Sequence, residues 1–332
     1  MDFNKLFTEF NSKKVLIIGD CMIDAYMWGE INRISPEAPV PVVEVKKHEN
    51  RLGGSANVAL NIQSLGSTPI ICSVIGNDDK GVLFKNLMKN AKLSTKGILT
   101  SEKRKTTLKT RVIADNKHQV RIDEEDTDPI SIENQFLELV KKLMSNTDVI
   151  ILQDYNKGVL TPKVITEIIS IANAKNIPTI VDPKKKNFNC YKNCTIFKPN
   201  LLEIKEGMNI DFNADNTKEL KKVSGTLREK LNTKAVLLTL SSRGICINSA
   251  GNFQHTPAFK RSIIDVSGAG DTVISVASLC LASNIDLNII SILSSLAGGI
   301  VCEEVGVVPI NKEKLFIEAK KILLNEQSNT IQ

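Results

Sequence analysis

The chain has 332 residues, 42% of them hydrophobic and 24% charged, and its formal net charge at pH 7 is +6. This is the composition of a globular protein with ample apolar material for a core. The basic residues form only short clusters, such as 184–186, whereas nucleic-acid-binding proteins concentrate positive charge on one face. We therefore expect no nucleic acid as a partner. No apolar run approaches 18 residues, so we expect no membrane span either.

The segment before residue 14 lacks the apolar run of a signal peptide, and the seven cysteines show no zinc-binding spacing. An odd number of cysteines, mostly in apolar surroundings, is typical of reduced thiols in a cytosolic protein. The three histidines are too scattered to indicate a metal site, and we expect them at the surface. The sequence thus predicts a cytoplasmic protein.

Strand-like apolar runs alternate with helical patterns, which predicts an α/β fold with a mainly parallel sheet flanked by helices. The predicted strands cover 15–19, 70–75, 149–153, 179–182, 195–198 and 235–240. The predicted helices cover 55–65, 80–90, 132–144, 161–174, 218–231, 269–283, 287–303 and 311–323. In such sheets, ligands gather at the carboxyl ends of the strands, where Asp20, Asp154, Asp182 and Asn200 fall.

Four segments break this rhythm and predict a small antiparallel sheet set apart from the main one. They are 25–31, 40–46, 107–114 and 119–124, and a hairpin turn at 115–117 joins the last two. The small sheet would occupy approximately 25–47 and 106–124 of one domain that spans 1–332. An isolated sheet with one apolar face needs a covering partner, which favours a homodimer. An extra edge of the main sheet is the alternative.

The most informative segment is 265–271 (DVSGAGD), which directly precedes an apolar helical pattern. Its glycines let a ligand approach the main chain, and the amides of a helix N-terminus bind anions. A carboxylate at this place, Asp271, suits the removal of a proton from a hydroxyl that attacks a phosphoryl group. An ordinary helix start with Ser267 as N-cap is the alternative. A dinucleotide fingerprint fails, because Val273 stands at its third glycine.

A second segment, 51–59 (RLGGSANVA), precedes another predicted helix. Gly53, Gly54 and Asn57 suit a floor under a polyhydroxylated ligand, although an ordinary loop would have the same composition. Together the two segments resemble the two signatures of the PfkB family of ribokinase-like carbohydrate kinases. The resemblance extends from about residue 14 to residue 309. It implies a ribokinase-like fold in which the small sheet is a lid over the sugar and often a dimer surface.

Within this family, the run 33–42 (RISPEAPVPV) resembles the kinases that act on D-glycero-D-manno-heptose 7-phosphate. Four shorter segments match the same subgroup: 19–24, 154–158, 182–184 and 198–203. In many bacteria such a kinase is fused to a nucleotidyltransferase domain, and the chain resembles the kinase part alone. The resemblance implies ATP-dependent phosphorylation of the anomeric hydroxyl to give the 1,7-bisphosphate, in ADP-heptose biosynthesis.

Two alternatives remain open at the level of the sequence. The first is another kinase of the family that acts on a different sugar, sugar phosphate or nucleoside. The second is a non-catalytic sugar-phosphate sensor on the same fold. Retention of Asp271, Asn200 and Glu203 argues against the sensor.

The resemblance assigns a role to each candidate residue on the sugar side. Asp271 matches the catalytic base, and the N–H groups of Ala269, Gly270 and Asp271 would hold the developing charge. Gly268 belongs to the same catalytic segment. The sugar-binding set is Asp24, Gly53, Gly54 and Asn57. The substrate's own phosphate needs cations, for which the candidates are Lys157, Arg111 and Arg121, with Lys109. Each of these cations, taken singly, also fits a solvated surface charge.

On the nucleotide side, Asn200 and Glu203 match a family element that holds Mg²⁺ through water near ATP. The same spacing is also that of a helix capping box. Thr239, Ser241 and Gly244 match the nucleotide loop, with Ser241 in place of the usual glycine. The implied ligands are therefore ATP and Mg²⁺, and the use of a monovalent cation stays open. Neither P-loop nor protein-kinase motifs occur.

Overall fold

The computed structural model describes the backbone of residues 2–115 and 117–329, and their side chains as far as residue 322. The strands are β1 (Lys14–Gly19), β2 (Cys21–Ile34), β3 (Pro41–Gly54), β4 (Thr68–Gly76), β5 (Ile98–Ser101), β6 (Leu108–Ala114), β7 (Lys117–Glu124), β8 (Val149–Gln153), β9 (Thr179–Asp182), β10 (Ile196–Phe197), β11 (Ala235–Thr239), β12 (Ile245–Ser249) and β13 (Asn252–Thr256). The α-helices are α1 (Phe3–Glu9), α2 (Ser55–Ser64), α3 (Asp79–Asn90), α4 (Glu133–Leu143), α5 (Pro162–Ala174), α6 (Leu201–Met208), α7 (Thr217–Leu231), α8 (Ala269–Ala282), α9 (Leu287–Val301) and α10 (Lys312–Asn329).

The main sheet has nine strands in the order β13-β12-β11-β10-β9-β8-β1-β4-β5. Neighbouring strands run parallel from β11 to β5, while β12 and β13 add an antiparallel edge. The mainly parallel sheet flanked by helices is therefore confirmed. The prediction misses β5, β12, β13, α1 and α6, which are short elements without a sustained apolar period. For β8 and β9 the predicted bounds coincide with those of the structure. For the other main-sheet strands and the helices they differ by up to several residues at the ends.

Helices cover both faces of the sheet, which explains why the sequence of strand β1 is continuously apolar. Its side chains alternate between two cores. Val15 and Ile17 pack in the core that includes α2 and α8, whereas Leu16 and Ile18 pack in the core that includes α4 and α5. All four side chains are fully buried. A strand in this position has no solvent face on which polar residues could alternate.

The smaller sheet has the strand order β3-β2-β6-β7. The β2–β3 and β6–β7 pairs are antiparallel, while β2 and β6 run parallel. The expected lid is present, but it is larger than 25–47 and 106–124, because β2 and β3 reach back to residues 21 and 54 beside the main sheet. Of the predicted turn at 115–117, residue 116 lies outside the described residues, and Ala114 pairs with Lys117 across the hairpin.

The carboxyl ends of the parallel strands bring polar residues to one edge, as predicted. Asp20 follows β1, Asp154 follows β8, Asp182 ends β9 and Asn200 follows β10. All seven cysteines are free, and all except Cys190 are buried. The three histidines are exposed. None of the described helices combines the length and apolar character that a membrane crossing requires.

Candidate active site

Helix α8 begins at the glycine-rich segment with an open first turn. Gly268 is the N-cap, with a φ of 79°, and no described side chain caps the helix. The alternative with Ser267 as N-cap is therefore wrong. The amide of Ser267 donates to Asp265 Oδ1 at 2.9 Å, and that of Gly306 donates to Asp265 Oδ2 at 2.9 Å. These two bonds hold the loop in front of α8.

The open turn leaves main-chain amides for an anion. Within the described chain, the amides of Gly270 and Asp271 have no acceptor, whereas the amide of Ala269 donates to the Val266 carbonyl at 3.3 Å. The prediction that the Ala269 amide donates to a bound anion is therefore wrong. The turn at Gly268 directs this amide to the Val266 carbonyl, and Ala269 forms part of the wall of the site. The free amides and the helix dipole both favour negative charge at this point.

Asp271 is buried, and three side chains donate hydrogen bonds to its carboxylate. Oδ2 accepts from Asn57 Nδ2 at 2.6 Å, and Oδ1 accepts from the Tyr155 hydroxyl at 2.6 Å and from Gln153 Nε2 at 3.2 Å. Burial raises the pKa of Asp271 to about 6, while the hydrogen bonds from Tyr155 and Asn57 lower it. A general base works best when its pKa lies near the working pH, which this environment provides.

Asn57 connects the predicted sugar-binding segment with Asp271. Helix α2 starts at Ser55 directly after Gly54, whose φ of 60° turns the chain from β3 into the helix. One turn further on, Asn61 donates to the Asn57 carbonyl at 3.0 Å and accepts from the Thr272 hydroxyl at 3.1 Å, which ties α2 to α8. Asn57 Oδ1 is buried without a partner in the described chain, so it can accept a bond from a ligand hydroxyl.

Asp24 and Gly53 form a second part of the predicted sugar site. Arg111 Nη1 donates to Asp24 Oδ1 at 2.6 Å. A Cβ atom at position 53 would stand 2.3 Å from Asp24 Oδ2, so a side chain there would displace this carboxylate. Asp24 Oδ2 has no hydrogen-bond donor among the described residues and can accept one from a hydroxyl.

A cleft of about 860 Å³ opens beside Asp271, between the start of α8 and the carboxyl ends of the strands. Its lining includes every residue of the predicted catalytic and nucleotide sets: Asp271, Gly268, Ala269, Gly270, Asn200, Glu203, Thr239, Ser241 and Gly244. The predicted sugar-binding residues are outside this lining. Asn57 reaches Asp271 from that other side, so the carboxylate stands between the two parts of the site.

Asn200 and Glu203 form a complete capping box at the start of α6. Asn200 Oδ1 accepts from the Glu203 amide at 2.8 Å, and Glu203 Oε2 accepts from the Asn200 amide at 2.8 Å. The other Glu203 oxygen pairs with Lys184. Both alternatives for this motif thus have support, since the capping residues also face the cleft. With these oxygens already bonded, the pair fits Mg²⁺ held through water, and no cluster of three acidic, His or Cys ligands occurs among the described residues.

The nucleotide loop shows why a glycine is usual where this chain has Ser241. Ser241 has a φ of 56°, in the region that L residues avoid at a cost of roughly 1–2 kcal/mol. Gly244 has a φ of 92°, and a Cβ there would stand 2.1 Å from the Thr256 carbonyl oxygen. The loop therefore has two residues with positive φ, with some strain at Ser241.

The predicted phosphate-binding cations are already paired with carboxylates. Lys157 and Lys109 both contact Glu125, at 2.6 and 2.9 Å. Lys109 also pairs with Asp123 at 2.8 Å. Arg121 pairs with Asp123 at 3.0 Å, and its side chain is 60% exposed. Lys157 and Lys109 thus converge on Glu125, whereas Arg121 projects towards solvent.

The prediction gave no site role to four residues around Asp271. They are Gln153, Tyr155, Asp182 and Lys198. Gln153 Nε2 also donates to Asp182 Oδ2 at 3.0 Å, and the buried Lys198 lies 3.1 Å from Asp182 Oδ1. Each lies at or just after the carboxyl end of a parallel strand, which is the signal that could have included them.

The family profile described as pfkB family carbohydrate kinase matches residues 12–314. The chain belongs to this family. It is therefore a phosphotransferase of the carbohydrate kinase type. Bifunctional protein HldE of Aliarcobacter butzleri is 39% identical over 328 residues, which cover 96% of this chain and 67% of that protein. HldE of Helicobacter pylori strain HPAG1 is 37% identical, with coverages of 92% and 66%.

The chain thus spans about two thirds of the length of these relatives. Among solved structures, phosphofructokinase-2 from Escherichia coli in complex with potassium superimposes with a TM-score of 0.77. The identity is 18%, and the match covers 93% of this chain and 99% of that one. This likeness confirms the ribokinase-like fold.

Replacing Asp271 with Asn should abolish most turnover while leaving the fold intact. An amide of the same shape cannot accept the proton of the attacking hydroxyl, and loss of a general base typically lowers kcat by about 10²–10⁴-fold. Steady-state kinetics, with circular dichroism and ATP titration as controls for fold and nucleotide binding, measure the effect. A kcat close to that of the wild type would remove Asp271 from the mechanism.

The rate should also depend on pH through Asp271. The base is active when ionised, so kcat/KM should fall about tenfold per unit as pH decreases below the pKa of about 6. The pH profile of the residual activity of Asp271→Asn serves as the control, because the substrates still ionise in this assay whereas the asparagine does not. If both proteins lose activity over the same acidic range (the acid limb of the profile), the loss is due to ionisation of the substrates.

Glu203→Gln should raise the Mg²⁺ concentration needed for half-maximal activity. Glutamine still completes a capping box, so the helix start is retained while the negative charge is lost. Glu219→Gln is a matched control, because Asn216 and Glu219 have the same spacing at the start of α7 and lie outside the cleft. Equal Mg²⁺ curves for Glu203→Gln and the control would reduce Asn200 and Glu203 to a helix cap.

Proposed function

We propose that this chain, as one kinase domain spanning 1–332, phosphorylates D-glycero-D-manno-heptose 7-phosphate at the anomeric hydroxyl with ATP. The product would be the 1,7-bisphosphate, an intermediate on the way to ADP-heptose. The observation that carries the catalytic part is the position of Asp271. Its carboxylate meets Asn57 of the sugar segment on one side and the open amides of α8 and the cleft on the other.

The sugar assignment is supported by sequence similarity at two scales, one local and one over nearly the whole chain. The run 33–42 resembles the heptose 7-phosphate kinases, and the relatives that match nearly the whole chain are named bifunctional protein HldE. That name belongs to a heptose kinase and adenylyltransferase. The matched portion is about two thirds of those proteins, so only the kinase activity is proposed here.

The cleft suits ATP in size and in the distribution of its polarity. Its volume of about 860 Å³ lies within the usual range of ligand sites. Leu202, Ile263 and Val266 line it and are more than half exposed, which provides apolar surface for a planar base. Lys198 and the amides of Gly270 and Asp271, which also line the cleft, provide positive charge for the phosphates.

The residues of the site allow a direct phosphoryl transfer. The acceptor hydroxyl gives its proton to Asp271 while its oxygen forms a bond to the γ-phosphorus, and the bond from that phosphorus to the β–γ bridging oxygen breaks to release ADP. The free amides at the start of α8 stabilise charge on the transferred group. Mg²⁺, when bound, would neutralise phosphate charge beside Asn200 and Glu203.

The lid provides the contacts to the rest of the sugar in this proposal. Asp24, Gly53 and Gly54 of the lid and Asn57 of α2 bind hydroxyls. Lys157, which follows β8, binds the existing phosphate together with Arg111 and Arg121 of the lid. The lid is also the proposed surface of a homodimer. On β7, Val120 and Ile122 are 52% and 49% exposed, which is unusual for β-branched side chains on a strand unless another surface covers them.

One observation favours a second candidate, a kinase of the same family for an unphosphorylated sugar. Lys157 and Lys109 already have Glu125 as an anionic partner, so they do not require a substrate phosphate for charge balance. An assay of ADP release across a panel of sugars and sugar phosphates separates the two candidates. Heptose 7-phosphate should have the highest kcat/KM of the panel.

Lys157→Ala should weaken the sugar phosphate much more than ATP. A hydrogen-bonded ion pair to a phosphate contributes roughly 10- to 150-fold in affinity, and the loss should lie near the lower end of this range because Lys157 must leave Glu125 to form it. Glu125 keeps Lys109 as a partner, so the variant leaves no unpaired carboxylate. KM is measured for heptose 7-phosphate and heptose, with Lys141→Ala on the far surface as control. An equal loss of affinity for both sugars would show that Lys157 does not bind the phosphate.

A further inference from the structure

Tyr155 is a half-buried residue of the cleft wall, and its hydroxyl has no role in the proposed phosphoryl transfer itself. Its hydroxyl donates to Asp271 Oδ1 at 2.6 Å. Its backbone is held by Asp20, which is 1% exposed and does not line the cleft. The Asp20 carboxylate accepts from the amides of Tyr155, Lys157 and Val159 at 2.9 to 3.0 Å. A buried carboxylate thus anchors the loop that carries Tyr155.

The donors around Asp271 are distributed unequally between its two oxygens. Oδ1 accepts from Tyr155 and Gln153, which occupies both of its lone pairs. Oδ2 accepts from Asn57 alone among the described residues, so one lone pair remains. The orientation of the Asn57 amide follows from chemistry, because its oxygen at 2.6 Å from a carboxylate would be repelled. The acceptor hydroxyl can therefore bond only at Oδ2 without displacing a donor.

We propose that Tyr155 is a positioning residue, whose hydroxyl keeps Asp271 ionised and turned so that Oδ2 receives the proton of the acceptor hydroxyl. This inference rests on the proposed kinase reaction. The proton moves from the sugar oxygen to Oδ2, and Tyr155 keeps its own proton. Burial and the neighbouring Asp271 carboxylate raise the pKa of Tyr155 well above its usual value, so the phenol stays a donor throughout.

The other charged groups around Asp271 are paired and do not depend on the phenol. Asp182 and Lys198 face Asp271 and pair with each other at 3.1 Å. Lys184 lies 5.9 Å from the centre of the Tyr155 ring and pairs with Glu203. Both pairs remain when only the hydroxyl is removed. A change in the ionisation of Asp271 in Tyr155→Phe is therefore attributable to that hydroxyl.

The test compares Tyr155→Phe with Tyr191→Phe. Tyr191 is fully buried, and its hydroxyl donates at 2.7 Å to Asp154, whose pKa burial likewise raises to about 6. Asp154 touches no reacting group, so Tyr191 is a matched control. Tyr155→Phe should move the acid limb of kcat/KM upward by roughly one pH unit and recover rate at higher pH. Tyr191→Phe should leave the limb unchanged.

A second substitution covers the case in which Tyr155→Phe folds poorly. Site-specific 3-fluorotyrosine at position 155 keeps the shape but is a stronger hydrogen-bond donor, so the acid limb should move to lower pH. An unchanged limb in this protein, or equal shifts in Tyr155→Phe and Tyr191→Phe, would overturn the inference. Substrate ionisations are common to all proteins compared and cancel in these differences.

Thermal unfolding provides a readout that does not depend on any sugar. The raised pKa of Asp271 means that its ionisation destabilises the folded state as pH rises, and loss of the phenol should increase this effect. The decrease in Tm caused by Tyr155→Phe should therefore be larger at pH 8 than at pH 5. A decrease that is equal at both pH values contradicts the inference. If the wild type phosphorylates no sugar of the panel, the proposed function fails, while this comparison still decides the role of Tyr155.

Discussion

In the proposed reaction, the site depends on keeping one buried carboxylate ionised. Burial alone favours the neutral form of Asp271, and the net effect is a pKa of about 6 instead of 3.8, a penalty of roughly 3 kcal/mol on the ionised form. Three side-chain donors and the start of a helix oppose the burial. Without them the carboxylate would stay protonated and could not take a proton.

The donors to this carboxylate come from distant parts of the chain. Asn57 is 214 residues from Asp271, Gln153 is 118 and Tyr155 is 116. Only the tertiary fold can bring them together, and the parallel sheet does so because the carboxyl ends of its strands meet at one edge. Asp20 then holds the loop after β8, and Asn61 holds α2 against α8. The buried polar residues outside the cleft thus determine its geometry.

The sequence predicts the layers of the fold well, because strands buried on both faces must be continuously apolar. The bounds of β8 and β9 coincide with the prediction for this reason. The motif residues are also predictable, since each depends on local backbone chemistry. What the sequence does not show is pairing across long separations, such as Tyr155 with Asp271 or Lys157 with Glu125. The open start of α8 was also ambiguous, because it depends on the φ of Gly268 and not on the identity of Ser267.

The ion pairs near the lid limit what net charge can contribute to substrate choice. Lys157 and Lys109 share Glu125, and Arg111 is bonded to Asp24, so an incoming phosphate must exchange with a carboxylate instead of filling an empty cationic site. The gain is then the difference between two ion pairs, which is smaller than the strength of either. A sugar without a phosphate leaves these cations paired and incurs no penalty from unpaired charge. In the proposed reaction, discrimination among sugars therefore rests more on hydroxyl geometry, above all at Asn57, whose buried acceptor oxygen goes unpaired if a hydroxyl is missing.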